Sequence, residues 1–189
     1  MENPLVQALK VYDRLMDDTV KDLLSIIRYE SLPKNTELLK FDQIARNMYF
    51  IEKGLARVYY YQDGKDVTDY FAIDGQFIGA VPSFFTQEPS YKAIQLLEDS
   101  HLYYFSSTGF EACCDHHHDL ERATRKLMGF GLVQEQQRIE SLRFHSAKER
   151  YENMERQYPG ITNRCPLQYI ASYIGTTPVS ISRIRAGLQ

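Results

Sequence analysis

The side chains best suited to recognition chemistry lie near the end of the chain, at Arg183 and Arg185. A guanidinium can donate two parallel hydrogen bonds to one guanine edge, a contact that discriminates against other bases by about 1–3 kcal/mol. Around these arginines stand Thr176, Thr177, Val179, Ser180 and Ser182. Their hydroxyls suit phosphate oxygens or base edges, and valine offers an apolar surface to a thymine methyl. The stretch that carries them, Leu167 to Ile184, has the spacing of two crossing helices. Ala171 is small enough for close crossing, Gly175 supplies the turn four residues later, and Ile170, Ile174, Ile181 and Ile184 return to a shared core. Pro178 falls in the first turn of the second helix, where its missing N–H costs little, and Thr177 before it can cap that helix. The pattern predicts a helix-turn-helix whose outward face, Val179, Ser180, Ser182 and Arg183, meets a groove of DNA. A plain helical hairpin is the alternative.

A second concentration of reactive types is Cys113, Cys114 and the run His116, His117, His118. Neighbouring residues on a helix point about 100° apart, so they seldom converge on one ion, and no Cys-x-x-Cys pair is present. The run reads as a solvated helix end; no metal and no cofactor is expected. Enzymatic chemistry has little to start from, because the only histidine in the strand-rich region is His101 and no nucleophile, base and orienting group stand in a legible order. A metal-binding or enzymatic barrel of the cupin kind stays open as a competing reading.

The elements that must position these residues follow from periodicity. Leu5, Leu9, Tyr12, Leu15 and Met16, then Val20, Leu23, Leu24 and Ile27, predict two short helices, with Asp17, Asp18 and Thr19 as the cap between them. From Thr36 to Phe105 short runs rich in Tyr, Phe, Ile and Val are broken by Gly54, Asp63-Gly64, Asp74-Gly75 and Pro89, the signature of strands and turns. Asp63-Gly64 between Ala56–Tyr61 and Val67–Phe71 predicts a tight hairpin, because that dipeptide accepts the positive φ such a turn demands. Helical spacing returns after Ser106. Leu120, Ala123, Leu127 and Phe130 make one apolar face; Met128, Leu132, Glu135, Ile139 and Leu142 step by four and three on another. One face is expected to cover the strand domain and the other to meet a second copy of the chain.

Charge and composition agree with this division. The formal net charge is −3, yet from Ser141 onward seven Lys and Arg stand against three acids, so the first 140 residues carry −7. A basic end on an acidic body is the sign expected of a polyanion partner. No apolar stretch approaches the ~20 residues of a membrane span, and the N-terminus lacks an export signal. With three cysteines and no disulfide framework, a reduced cytoplasmic setting without membrane contact is expected.

The order of these parts resembles the Crp/Fnr family of transcription regulators over nearly the whole chain. The resemblance rests on Tyr49-Phe50-Ile51-Glu52-Lys53-Gly54, on Asp63-Gly64, on Gly75-Gln76-Phe77-Ile78-Gly79, and on Ile170 to Gly175 with Ile181-Ser182-Arg183-Ile184. It implies an α+β fold: a double-stranded β-helix (jelly-roll) sensor with N-terminal helices over residues 1–118, a dimerisation helix over 119–145 and a helix-turn-helix over 146–189. It also implies a homodimer on a near-palindromic operator of double-stranded DNA. The chain stops soon after the recognition helix, so a complete wing is not expected, and phosphate anchoring falls to Arg164 and Arg185. Where members that bind cyclic AMP carry a Glu and an Arg, this chain has Ala80 and Ser90. An anion buried without a counter-charge is costly, so the expected effector is something other than cyclic AMP, or none. The pocket implied is Gly79, Ala80, Ser83, Ser90 and Tyr91, with Gln136 and its neighbours Gln134 and Gln137 facing from the helix. A dimeric interaction module that does not bind DNA is a further alternative.

Overall fold

A computed structural model describes residues 2–188. Two short helices open the chain, α1 (Pro4–Lys10) and α2 (Asp17–Ile26). Asn3 caps α1, its Oδ1 accepting from the Leu5 and Val6 N–H groups at 3.0 and 3.3 Å. The start of α2 differs from expectation. Its N-cap is Met16, with no side-chain cap, and Asp17 and Asp18 sit inside the first turn, where carboxylates favour the positive end of the helix. Thr19 is almost fully buried and serves a tertiary bridge instead.

Eight strands form two antiparallel four-stranded sheets. They are β1 (Arg28–Leu32), β2 (Glu37–Leu39), β3 (Asn47–Lys53), β4 (Ala56–Gln62), β5 (Lys65–Ala72) and β6 (Gln76–Ile78); then, after the short α3 (Val81–Thr86), β7 (Ala93–Leu96) and β8 (Ser100–Ser106). One sheet runs β1-β8-β3-β6 and the other β2-β7-β4-β5, so consecutive strands alternate between layers, except for the β4/β5 hairpin, in the manner of a jelly roll. The β4/β5 hairpin closes at Asp63-Gly64 with φ of 51° and 72°, two successive left-handed residues as the dipeptide predicted. The core between the sheets is built from Phe50, Ile51, Val58, Ile78, Ile94, Leu96 and Leu102, all essentially buried.

Six helices follow the sheets and one of them is long: α4 (Ser107–His116), α5 (His118–Phe144), α6 (Ala147–Gln157), α7 (Ile161–Arg164), α8 (Leu167–Ile174) and α9 (Pro178–Arg185), with α5 spanning 27 residues. Its first face behaves as the periodicity predicts. Leu120 and Ala123 are fully buried and Leu127 packs on the same core, while Phe130 reaches the Tyr12 ring at 6.2 Å.

The base of α5 is fastened to the N-terminal helices by one carboxylate. Asp119 accepts from the Met16 N–H at 2.7 Å and from the Thr19 hydroxyl at 2.9 Å. Burial acts to raise the Asp119 pKa, but the Met16 N–H, the Thr19 hydroxyl and the Leu120 N–H outweigh it and hold the carboxyl below its ordinary 3.8. A depressed folded-state pKa contributes stability that is complete above the unfolded value and is lost as pH falls through the folded one. Asp119→Ala is therefore expected to cost about 1–3 kcal/mol in urea unfolding at neutral pH, the price of leaving two donors unmet. The loss should shrink below pH 3.8; a loss that stays constant through acid would contradict the assignment.

Candidate functional site

The C-terminal pair α8 and α9 has the geometry the sequence predicts. Gly175 ends α8 with φ 68° and ψ 45°, a conformation that costs a β-carbon-bearing residue about 1 kcal/mol or more. Thr177 caps α9, its Oγ1 accepting from the Ser180 N–H at 3.2 Å, with Pro178 at the first helical position. Ile181 is fully buried and Ile184 nearly so, against Ile170, Ala171 and Ile174. Opposite them Val179, Ser182 and Arg183 face solvent, with Val179 63% exposed.

The other DNA-reading candidates lie at the margins. Thr177 and Ser180 share the cap, their hydroxyls 3.2 Å apart, Thr176 is half-buried, and Arg185 is exposed at the C-terminal flank. Among the described residues neither Arg183 nor Arg185 pairs with a carboxylate.

Arg164 does not serve as the phosphate anchor that the sequence suggested. Its guanidinium bonds Glu98 Oε2 at 2.7 Å, Asp74 Oδ2 at 2.6 Å and the Gly54 carbonyl at 2.8 Å. Those partners are on the β-roll, so Arg164 fastens the C-terminal helices to the β-roll. A second fastening is Arg57 on β4, only 2% exposed. It bonds both oxygens of Asp66 and lies between the rings of Tyr59 and Tyr169, at 4.1 and 3.6 Å from their centroids. Tyr169 belongs to α8. Beside it Ser172 Oγ accepts from the Thr68 N–H at 3.1 Å, and Phe71, Tyr158 and Tyr173 form a three-ring cluster with centroids 5.3–5.9 Å apart. Thus α8 is clamped on β5 while α9 faces away.

Of the effector residues named from sequence, Ser83 and Ser90 spend their hydroxyls on nearby backbone. Ser83 donates to the Glu88 carbonyl at 2.5 Å and accepts from the Ala45 N–H at 2.9 Å. Ser90 donates to the Lys92 carbonyl at 2.8 Å and accepts its N–H at 3.0 Å. Ala80 is buried, Tyr91 is 65% exposed, and Gln136 is exposed. Both backbone groups of Gly79 are taken by Tyr70, whose hydroxyl accepts the Gly79 N–H at 3.0 Å and donates to its carbonyl. Phe84 is buried and Phe85 is not. Gln134 and Gln137 instead line a cleft of about 550 Å³ between α5, α6 and α8.

Residues that sequence reasoning passed over form a charged cluster beside Ser90. Asp69 on β5 joins Lys92 Nζ at 2.5 Å and Arg138 Nη2 of α5 at 3.4 Å, and Arg138 also bonds Glu135 at 3.0 Å. Burial acts to lower the Lys92 pKa, but the hydrogen bond and charge of Asp69 prevail and hold it above the ordinary lysine value. The only signal in the sequence is Lys92 itself, a cation two residues beyond Ser90.

Within the cysteine and histidine run, His117 makes tertiary contacts while His116 and His118 are exposed. His117 Nε2 meets Asp22 at 2.9 Å and its Nδ1 meets the Thr19 hydroxyl at 3.2 Å. Burial pushes the Cys114 thiol up to about 11 and the Cys165 thiol up to about 12, away from the thiolate a metal or nucleophile needs. Among the described residues no three His, Cys, Asp or Glu side chains converge as metal ligands.

Residues 29–117 match the cyclic nucleotide-binding domain. No curated protein sequence matches the chain. Among solved structures it is similar to FixK2 of Bradyrhizobium japonicum, with TM-score 0.74 and 18% identity over 86% of this chain and 84% of that one. It is also similar to a CooA mutant of Carboxydothermus hydrogenoformans, TM-score 0.65 and 18% identity over 92% and 85%. The Thermus thermophilus catabolite activator protein gives TM-score 0.59 and 18% identity over 96% and 86%. The chain thus shares the fold of these proteins, and its jelly roll matches the cyclic nucleotide-binding domain.

That domain implies a cyclic nucleotide, and the residues present do not fit one. Ser90 brings no positive charge, the Gly79 N–H is bonded to Tyr70, and Lys92 is already held by Asp69. A phosphate placed there would be buried against a carboxylate rather than a free cation, which costs several kcal/mol.

Proposed function

We propose that the protein is a dimeric, cytoplasmic, DNA-binding transcription regulator, acting by recognition and not by catalysis. The observation that carries this reading is the orientation of α9: its inner face is sealed by Ile181 and Ile184, its partner helix is fixed to the β-roll, and Val179, Ser182 and Arg183 are left facing solvent. The sensor body is assigned to residues 1–118, the pairing helix to 119–145 and the reader to 146–189. No helix among the described residues is long and apolar enough to cross a membrane.

Pairing is assigned to the second face of α5. Met128, Leu132, Ile139 and Leu142 are 37–63% exposed and recur by four, seven and three. A stripe of this spacing leaves water when two copies pack side by side. Two readers held in that way would enter successive major grooves about 34 Å apart, so the operator is a near-palindrome. Within each half-site Arg183 supplies the base contact, Val179 a methyl contact, and Thr176, Thr177, Ser180, Ser182 and Arg185 the phosphate contacts. The effector, if one acts, is not cyclic AMP.

Arg183→Ala tests the assignment of the reader. Because the side chain is exposed, folding should be unchanged, and affinity for the selected operator should fall about tenfold or more, with relaxed preference at one base position per half-site. Unchanged affinity and preference in a gel-shift titration would remove Arg183 from the interface.

A further inference from the structure

Two cations from two different elements converge on one side chain. Lys92 stands just before β7, Arg138 lies on α5, and Asp69 of β5 gives one carboxylate oxygen to each, at 2.5 and 3.4 Å. All three are largely withdrawn from water, with side-chain exposures of 15%, 24% and 13%. The Lys92 ammonium is further flanked by the rings of Tyr60 and Tyr91, at 5.9 and 5.4 Å. Arg138 keeps a second acid, Glu135, but Lys92 has none besides Asp69 among the described residues. Without Asp69 the cluster would be two converging cations against a single half-exposed carboxylate.

We propose that Asp69 is a built-in anion: its carboxylate holds the position a small oxyanion would take between the β-roll and the long helix, and Lys92 with Arg138 is a latent phosphate site. The charge is supplied by the fold, so the tie between the sensor and α5 is made without a ligand. Tyr70, the next residue on β5, closes the neighbouring backbone by holding both polar groups of Gly79. An added oxyanion has nothing to bind while Asp69 is in place, because it would have to displace a covalently tethered competitor. Removing that competitor uncovers the cations.

The test compares the full chain and Asp69→Ala by thermal unfolding in inorganic phosphate and in chloride at matched ionic strength, which separates binding from screening. In chloride the variant should melt about 5 °C below the parent, and phosphate should restore much of that loss while leaving the parent unmoved. Asp69→Ala/Lys92→Met should lose the phosphate response. Should Asp69→Ala fail to fold, Asp69→Ser shortens the side chain, vacates the position the carboxylate holds and carries the same expectation. Equal midpoints in the two salts for the single variant, or a parent stabilised by phosphate as much as the variant, overturn the proposal. Neither readout involves DNA, so its failure is distinct from failure of the reader assignment.

Discussion

Replacing Arg57 with methionine is expected to lower the stability of the whole chain by about 3 kcal/mol, a large share of a typical domain's total. The guanidinium is 2% exposed and serves five partners: Gln95 at 3.1 Å, Thr68 at 3.3 Å, the Asp66 carboxylate, and the faces of Tyr59 and Tyr169. Methionine fills much of the volume, so the loss is electrostatic rather than a cavity. Asp66 is left without its cation, though its 30% exposure lets water recover part of the cost. Tyr169 loses the cation at 3.6 Å, which loosens α8 from β5 and with it the reader domain. Urea unfolding should therefore show a lower midpoint, and limited proteolysis should cut more readily at His145 or Ser146, between α5 and α6. Asp66→Asn, which leaves the buried guanidinium without its counter-charge, should cost about as much. A methionine variant as stable as the parent would mean that the clamp contributes nothing.

The second large effect is expected from Ile139→Glu. Ile139 is 46% exposed on the open face of α5, so a glutamate there should leave the single chain folded. In a pair it would set two carboxylates against each other at the seam, one turn beyond Glu135, which already brings an acid to that face. Sedimentation should show a single chain in place of a dimer. Operator affinity should fall by about a hundredfold or more, because the two half-sites would no longer be read together. A variant that remains dimeric would place the seam elsewhere, and one that unfolds would mean the face is buried within the chain.

The residues that were legible in sequence are those whose roles are local. Asp63 and Gly64 announce the hairpin because their own φ angles make it, 51° and 72°. Thr177, Pro178 and Gly175 announce the reader because capping and turn geometry act within a few residues. The two faces of α5 are legible because a helix repeats its own pattern. What was not legible depends on partners far along the chain. Arg57 sits in a run of strand-forming residues and looks like a solvent-facing cation; only Tyr169 and Asp66 make it a buried one. Arg164 looks like a phosphate ligand until Glu98 and Asp74 are brought to it by the fold.

The effector site shows the same limit. The missing charges at Ala80 and Ser90 are plain in the sequence, and they argue against a cyclic nucleotide. The residues that replace them come from β5 and α5, whose approach no local pattern encodes. The cap expected at Asp17, Asp18 and Thr19 gives way to Met16 for a related reason: Thr19 is the better cap by type, but its hydroxyl is engaged by Asp119 on α5.

The central claim is that two copies of α9 read one duplex together. Selection of bound sequences from random double-stranded DNA with the purified full chain, at moderate salt, tests it most directly. The account predicts a near-palindrome with half-sites centred about one helical turn apart, each with a guanine whose preference is lost in Arg183→Ala. A pool that shows no preferred sequence, or a single unpaired half-site bound by one chain, would contradict it.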